Sequence, residues 1–300
     1  AYLQAARDQG LLNGKTVVVL PEHVGTWLMV SGEKDELYQA STLKEAMNWL
    51  AVSNPLKFAR ALISAEGGNR LDDAHLRMKA KAMARDYQAL FGGLAREFHV
   101  TLVAGSIVLP EPSIVDGTLK TGRGALYNSS VVFNNDGLPI GQPQRQMHPF
   151  FAEQSGIKAN AEQSLNVVDT PAGRLGVLIG HDSWYPENYL KLNDQSVQLV
   201  AVPAFVAGRG TWEQPWRGYR SSSEPASVTL KPGEVKEGQA WQSLTLTTRG
   251  PDSQAVAGMS VFLRGQFWDQ GSAGHSFLSR NGQHFADGNA QGARLLNLWL

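Results

Sequence analysis

The sequence predicts an α/β fold in which layers of β-sheet are covered by helices. One long segment, residues 72–97, carries apolar side chains at spacings of three and four residues, the pattern of a helix with one buried face. Short strands alternate with the helices, and several are near-continuous apolar runs, which indicates sheets buried on both faces. This alternation is typical of layered α/β domains.

The first hundred residues supply most of the predicted helices. The first helix is expected to end near Gly14, and an apolar strand over 16–22 follows it. The predicted helices of this half are 1–12, 43–50, 55–63 and 72–97.

Strands dominate the next hundred residues. Asp136 and Gly137 form a turn signal between two apolar segments, so residues 125–142 are predicted to form a β-hairpin. The predicted strands are 99–110, 125–135, 165–170, 174–180 and 198–205.

The chain then becomes polar and rich in Gly, Ser, Pro and Trp over residues 206–238. We expect an irregular insertion there, acting as a lid or a subunit contact. Its aromatic and basic cluster either lines a pocket or packs as a loop: Trp212, Trp216, Arg217, Tyr219 and Arg220. A helix over 237–249 and strands over 256–263, 275–280 and 294–300 complete the predicted elements.

The composition excludes several classes of partner. Basic and acidic residues both number 27, so the net charge is zero and nothing favours nucleic acid as a partner. No apolar run reaches the roughly 18 residues that a membrane-spanning helix needs. No spacing of ligands indicates a metal site, and we expect no cofactor.

The chain contains no cysteine. Disulfides, thiolate metal sites and thiol nucleophiles are therefore all excluded. A chain without thiols slightly favours an extracytoplasmic location, where a free thiol is a liability, and a cytoplasmic location is the alternative.

Polar side chains follow several of the predicted strands. Glu22 ends the first strand, His181 and Asp182 follow the strand 174–180, and Arg145 and His148 follow the hairpin. Strand ends are where α/β proteins usually build a shared cleft. The alternative is that each is merely a satisfied polar residue at the end of a strand.

Three segments resemble motifs of the carbon–nitrogen hydrolase (nitrilase) superfamily. They are VVVLPEHVGTW at 17–27, NNDGLPIGQPQRQMHPFFAE at 134–153 and GRLGVLIGHDSWYPENY at 173–189. The resemblance implies an αββα sandwich, in which two packed mixed β-sheets carry helices on their outer faces. It also implies one domain over 1–300, whose first β-strand is missing upstream.

The resemblance implies a degenerate catalytic triad. Glu22 matches the family's general base, whereas Gly180 stands where the family has its nucleophilic Cys and Arg145 where it has its Lys. Glu153 matches a second carboxylate. Gly180 cannot form the covalent thioester, and the planar fork of Arg145 does not replace a compact ammonium.

The leading hypothesis is therefore a non-catalytic module for ligand binding or assembly. The absent side chain at Gly180 leaves room for a small molecule with an anionic or amide group. Residues expected to line this pocket are His148, His181, Asp182, Trp184 and Phe205. One alternative is a hydrolase of amides, nitriles or esters that uses water activated by Glu22 or His181. Another is an enzyme deprived of its Cys to trap substrate, against which Arg145 argues.

The resemblance also implies self-association. Residues 184–192 and the apolar terminus 295–300 match surfaces through which family members dimerise, so a homodimer or higher oligomer is expected. A membrane anchor upstream of Ala1 is compatible with the missing strand.

Overall fold

Two β-sheets and their covering helices form the protein in a computed structural model. The structure describes residues 1–149, 156–162, 164–219, 224–225, 228–245, 253–281, 283–286 and 292–300.

Four segments of the first half are helical as predicted, with different ends, and one short helix, Asp35–Tyr38, was not predicted. The helices are α1 (Tyr2–Asp8), α2 (Asp35–Tyr38), α3 (Leu43–Ser53), α4 (Pro55–Ile63), α5 (Arg70–Tyr87) and α6 (Gly93–Phe98). Side-chain caps begin two of them, because Thr42 accepts the Glu45 N–H at α3 and Asn69 accepts the Asp72 N–H at α5. The first helix ends at Asp8, short of the predicted end near Gly14.

The long helix predicted over 72–97 is interrupted by a π-helical turn, Gln88–Gly92. Gly92 lies against the hairpin, and a Cβ there would come within 2.5 Å of the Gly137 carbonyl oxygen. Only a residue without a side chain lets the helix pass this close to the turn.

Among the described residues, the first sheet contains five strands. They are β1 (Val17–Val19), β2 (Thr101–Val103), β3 (Ile107–Pro110), β6 (Leu126–Phe133) and β7 (Pro139–Arg145), and a separate small hairpin joins β4 (Ser113–Val115) to β5 (Thr118–Lys120). Strand β1 runs parallel to β2, while β2, β3 and β7 run antiparallel to β6. The predicted hairpin is confirmed: β6 and β7 meet at a turn in which Gly137 donates its N–H to the Asn134 carbonyl.

In the part of the chain that the structure describes, the second sheet has six strands in the order β15, β14, β11, β10, β9, β8. They are β8 (Val167–Thr170), β9 (Gly173–Val177), β10 (Leu199–Ala204), β11 (Ala257–Phe262), β14 (Phe277–Arg280) and β15 (Gln283–Ala286). Strands β9, β10 and β11 are parallel. Two helices, α7 (Pro186–Asp194) and α8 (Glu237–Leu244), accompany this sheet, and β12 (Gln266–Phe267) and β13 (Gln270–Gly271) form a short ribbon.

The two sheets pack face to face. Val103 and Val132 of the first sheet share one buried cluster with Val177, Leu199 and Ala201 of the second. Separate clusters join each outer face to its helices, α3 and α5 on the first sheet and α7 and α8 on the second. Helices therefore cover both faces of a double sheet, and the predicted αββα sandwich is confirmed.

Strand β1 has a strand partner on one side only among the described residues. Helix α1 and the terminal residues 294–300 border a cavity of about 460 Å³ along its other side. This is the edge at which a preceding first strand was predicted, and that strand remains a prediction. Within the described part of the chain, no helix is long and apolar enough to cross a membrane.

The described residues of the predicted 206–238 insertion are irregular apart from one 3-10 turn, Thr211–Glu213, and the first two residues of α8. Trp212 and Trp216 from this segment are buried in the core of the second sheet. The segment also borders the candidate site, so a packed core and a pocket wall are combined in one loop. A role as lid or subunit contact stays a prediction.

Candidate functional site

Glu22 lies just beyond strand β1 and is almost fully buried, with 5% of its surface exposed. Its Oε1 accepts hydrogen bonds from Asn128 Nδ2 at 2.8 Å and Gln146 Nε2 at 3.3 Å. Asn128 belongs to β6 and Gln146 follows β7, so three strands of the first sheet fix this carboxyl group.

Gly180 approaches the same carboxyl group from the second sheet. The chain leaves β9 and begins a 3-10 turn, Gly180–Trp184, with φ of +52° at Gly180. A Cβ at this glycine would lie 2.8 Å from Glu22 Oε2 and 3.1 Å from Gln146 Nε2. The predicted convergence of the strands that carry Glu22 and Gly180 is therefore seen in the geometry.

The expected place of Arg145 in this cluster is wrong. Its guanidinium packs over the Tyr127 ring, 4.4 Å from the ring centroid, and donates to the Pro112 carbonyl at 3.1 Å. Successive side chains of a strand point to opposite faces, so Gln146 faces Glu22 instead. Its Nε2 donates to the Ile179 carbonyl at 3.0 Å, which joins the two sheets next to Gly180.

A signal for Gln146 was present in the sequence. In the family motif Lys-Arg-His, the Lys stands two residues before the His, and two residues before His148 is Gln146. The supporting amide of Asn128 also escaped sequence reasoning, because nothing in an apolar strand marks one polar residue as facing a site.

A cavity of about 410 Å³ opens beside this cluster. Glu22, Gln146 and His181 line it, together with Gln214 and Arg217 of the irregular segment. Phe205 and His23 also line the cavity, and their rings meet edge to face with centroids 5.6 Å apart. The cavity has the size and mixed polarity of a small-molecule site.

The family model for carbon–nitrogen hydrolases matches residues 2–224. The chain belongs to this family. The predicted membership of the carbon–nitrogen hydrolase (nitrilase) superfamily is therefore confirmed, and the described residues contain no cysteine.

Curated relatives of this carbon–nitrogen hydrolase include named amidases. A deaminated glutathione amidase of Dictyostelium discoideum is 27% identical over 42% of this chain and 45% of its own length. One of Yersinia enterocolitica is 25% identical over 53% of each chain. An omega-amidase of Saccharomyces cerevisiae is 33% identical over 31% of each. The chain spans about half or less of the length of these relatives.

Solved structures show the same fold. An amidase from Nesterenkonia sp. AN1 aligns with a TM-score of 0.53 at 14% identity, covering 94% of this chain and 77% of that one. Nit3 of Saccharomyces cerevisiae aligns with a TM-score of 0.51 at 18% identity, covering 93% and 73%.

Burial changes the protonation of the two carboxyl groups at the site of this family member. Desolvation, and then the charge of Asp182, raise the pKa of Glu22 to about 8 from its ordinary value of 4.5. Desolvation raises the pKa of Asp182 to about 7, although the backbone N–H groups that donate to its carboxylate act to lower this pKa. Glu22 therefore holds a proton at neutral pH.

Asp182 serves the framework and does not line the cavity. Its carboxylate accepts the backbone N–H of Met147 at 3.0 Å and of His148 at 2.7 Å, and its carbonyl accepts Asn188 Nδ2 at 2.8 Å. These bonds tie the chain after β7 to the turn that carries Gly180, so Asp182 positions both halves of the site.

Two of the other expected lining residues are also displaced from the cavity. His148 stacks on Tyr185 with ring centroids 3.5 Å apart, and desolvation lowers the pKa of His148 to about 4. Trp184 is only 1% exposed within an aromatic cluster that includes Trp241. His181 packs against Trp184 and Trp241 and does border the cavity, as does Phe205. Glu153 lies outside the described residues.

In the described part of the chain, no thiol or amine lies against Glu22. Its neighbours are the amides of Asn128 and Gln146, the backbone of Gly180 and the His23 ring, whose Nε2 lies 3.8 Å from Glu22 Oε1. No group of three His, Cys, Asp or Glu that could hold a metal ion occurs in the described ranges.

Proposed function

We propose that this nitrilase-fold protein binds a small molecule at the Glu22 cavity without hydrolysing it through a covalent intermediate. One observation carries the proposal: Glu22 faces Gly180 and Gln146, where the family's mechanism uses a Cys and a Lys. A thiolate attack needs the first, and stabilisation of the tetrahedral oxyanion benefits from the second. Loss of the nucleophile alone costs a factor of roughly 10⁶ in comparable hydrolases.

The protonation of Glu22 supports the same proposal. With a pKa of about 8, Glu22 is mostly protonated near neutral pH and is a poor general base there. It can instead donate its O–H to a carbonyl oxygen of a ligand. Gln146 is already bonded to Glu22 and to the Ile179 carbonyl, so it stiffens the site.

The ligand that fits this site is a small molecule with an amide or an anionic group. An amide group would meet Glu22, and a carboxylate would meet Arg217, which lines the same cavity. The amidase names of the relatives agree with an amide as one element of the ligand.

A cysteine-free hydrolase is the second candidate. Glu22 lines the cavity, where its carboxyl group could activate a water molecule. His181 on the cavity wall is an alternative base.

The first prediction separates these two functions. We expect no turnover above background in a panel of amides, nitriles, N-carbamoyl compounds and activated esters at neutral pH, measured by product release. We expect the same panel to contain compounds that raise the melting temperature, and Arg217→Ala to weaken the anionic ones among them.

Hydrolysis abolished by Glu22→Gln would contradict the non-catalytic proposal and favour water activated by Glu22. Hydrolysis that survives Glu22→Gln but is lost in His181→Ala would instead assign the base to His181.

We also propose that the chain self-associates, which gives a second prediction. Leu190 on α7 is 55% exposed, and Trp299 and Leu300 at the apolar terminus are 57% and 62% exposed. Apolar groups this exposed are usually covered by a partner. Light scattering at micromolar concentration should give the mass of a dimer or larger, and Trp299→Ser should shift it toward the monomer. A monomer under these conditions would refute the proposal.

A further inference from the structure

Helix α4 is apolar on two sides. Phe58, Ala61 and Leu62 turn inward and pack against α5, with Ala61 only 7% exposed. Leu56 and Ile63 lie on the outward side, 76% and 82% exposed, and nothing in the described chain covers them. A surface helix normally presents charged or polar groups there.

The outward apolar surface begins before α4. Val52 at the end of α3 is 68% exposed, and Trp49 one turn earlier is 40% exposed. These four residues, Trp49, Val52, Leu56 and Ile63, form what we call the outer stripe. Trp49 and Val52 are three residues apart in α3, and Leu56 and Ile63 are seven apart in α4, so each pair lies on one face of its own helix. Asn54, with a φ of −130°, separates the two helices.

Within residues 46–65 the charged side chains are all cationic. No Asp or Glu occurs in residues 46–65, whereas Lys57 and Arg60 are exposed on α4. Arg70 adds a third cation at the C-terminal end of α4, where it donates to the Leu62 carbonyl at 2.8 Å.

Carboxylates lie at both ends of the stripe. Exposed Glu45, one turn before Trp49, accepts the Ser41 N–H at 2.9 Å at the N-terminal end of α3. Glu33 contacts Asn54 at the α3–α4 junction, but it is paired with Lys79. Glu66 is the first acidic residue after the stripe, beyond the end of α4, on the side of Arg70.

We propose that the outer stripe docks on an anionic phospholipid surface. Leu56 and Ile63 enter the boundary between head groups and acyl chains, while Lys57 and Arg60 extend to the phosphates. A helix with aliphatic groups on one face and flanking cations is the usual form of an interfacial membrane contact. The charge of the stripe favours this occupant, because a second copy of the chain would bring the same cations against it.

The contact is weak and reversible. Four apolar side chains and a few cations lie far below what a spanning helix provides, and each cation near an anionic leaflet adds a modest, salt-sensitive attraction. The helix lies on the membrane and does not cross it.

Sedimentation with lipid vesicles tests the proposal. The purified protein should bind vesicles that contain about one third phosphatidylglycerol and bind much less to pure phosphatidylcholine. Leu56→Ser with Ile63→Ser should lower the partition coefficient roughly tenfold or more, because both aliphatic groups lose their burial. Lys57→Gln with Arg60→Gln should remove the preference for anionic lipid.

The matched control is Leu90→Ser with Leu138→Ser, which removes two aliphatic groups, 47% and 55% exposed, outside the outer stripe. It should leave vesicle binding unchanged, and circular dichroism checks that every variant is folded. The proposal fails if the protein does not bind anionic vesicles. It also fails if the stripe and control variants bind alike, or if the stripe variant loses self-association and keeps vesicle binding, which would make the stripe a protein contact.

Discussion

A chain that carries both Gly180→Cys and Gln146→Lys is expected to be acylated by activated esters. The structure places position 180 against Glu22 Oε2 and Gln146 Nε2, so a thiol and an ammonium introduced there would share one site with the carboxyl group. An ammonium next to Glu22 lowers the pKa of that carboxyl, which restores a base at neutral pH. A thiolate with a neighbouring base is the activated nucleophile that the present chain lacks.

Two structural effects limit the expected rate of acylation in this variant. Position 180 has a φ of +52°, and an ordinary residue in the left-handed region is destabilised by roughly 1–2 kcal/mol. The new Cβ would also press on Glu22 Oε2 at 2.8 Å, but this atom ends a flexible side chain and can withdraw. We therefore expect acylation at least about a hundredfold above the unmodified chain, well short of the factor of roughly 10⁶ that a nucleophile can provide.

The unmodified chain has no cysteine, so thiol acylation of the variant can occur only at position 180. After exposure to p-nitrophenyl acetate, intact-mass spectrometry should show one acetyl group per chain, and iodoacetamide beforehand should block it. Product release should then show a burst followed by slow turnover.

The matched control is Gly180→Cys with Arg145→Lys. Arg145 packs on Tyr127 and bonds to the Pro112 carbonyl, away from Glu22, so a lysine there should leave the thiol unactivated. Equal acylation of the two double variants would contradict the assignment of Gln146 to the site. Failure of both to react would mean that the cavity no longer admits an ester.

The sequence was sufficient for the fold and for part of the site. Apolar strands, the Asp136–Gly137 turn and three family motifs each constrain where strands end, so the αββα sandwich and the meeting of Glu22 with Gly180 could be predicted. Strand ends are set by local patterns that a single sequence displays directly.

The side of a strand is harder to predict than its end. A shift of one residue moves a side chain to the opposite face, and this single step separates Arg145 from Gln146. The polar residues of the turn after Gly180 presented a similar difficulty. Asp182 and Trp184 were expected in the pocket. Asp182 instead accepts backbone N–H groups, and Trp184 packs in the aromatic core. The partners of both residues are distant in sequence, so local patterns do not reveal them.

The last prediction concerns stability against pH, measured on Glu22→Gln. The folded chain holds the Glu22 proton up to a pKa of about 8, whereas the unfolded chain releases it near the ordinary value of 4.5. The folded state thus binds more protons between these values, so the free energy of unfolding falls as pH rises through this window. Each pH unit removes about 1.4 kcal/mol.

Glutamine has no proton to lose, and its side-chain oxygen can still accept from Asn128 Nδ2 and Gln146 Nε2. Glu22→Gln should therefore match the unmodified chain near pH 4.5 and exceed its unfolding free energy by roughly 3 kcal/mol near pH 7. Urea unfolding across this pH range measures the difference. The raised pKa of Asp182 gives a slope of the same sign in both chains and cancels from the comparison.

Glu97→Gln, on the exposed end of α6, provides the control and should show no such divergence. A Glu22→Gln chain that becomes less stable relative to the unmodified chain as pH rises would mean that Glu22 is ionised in the fold. Its charge would then be stabilised by the Asn128 and Gln146 amides, and its carboxylate would be a competent base at neutral pH. That result would favour a cysteine-free hydrolase, because the proposal of a non-catalytic site relies on Glu22 being protonated at neutral pH.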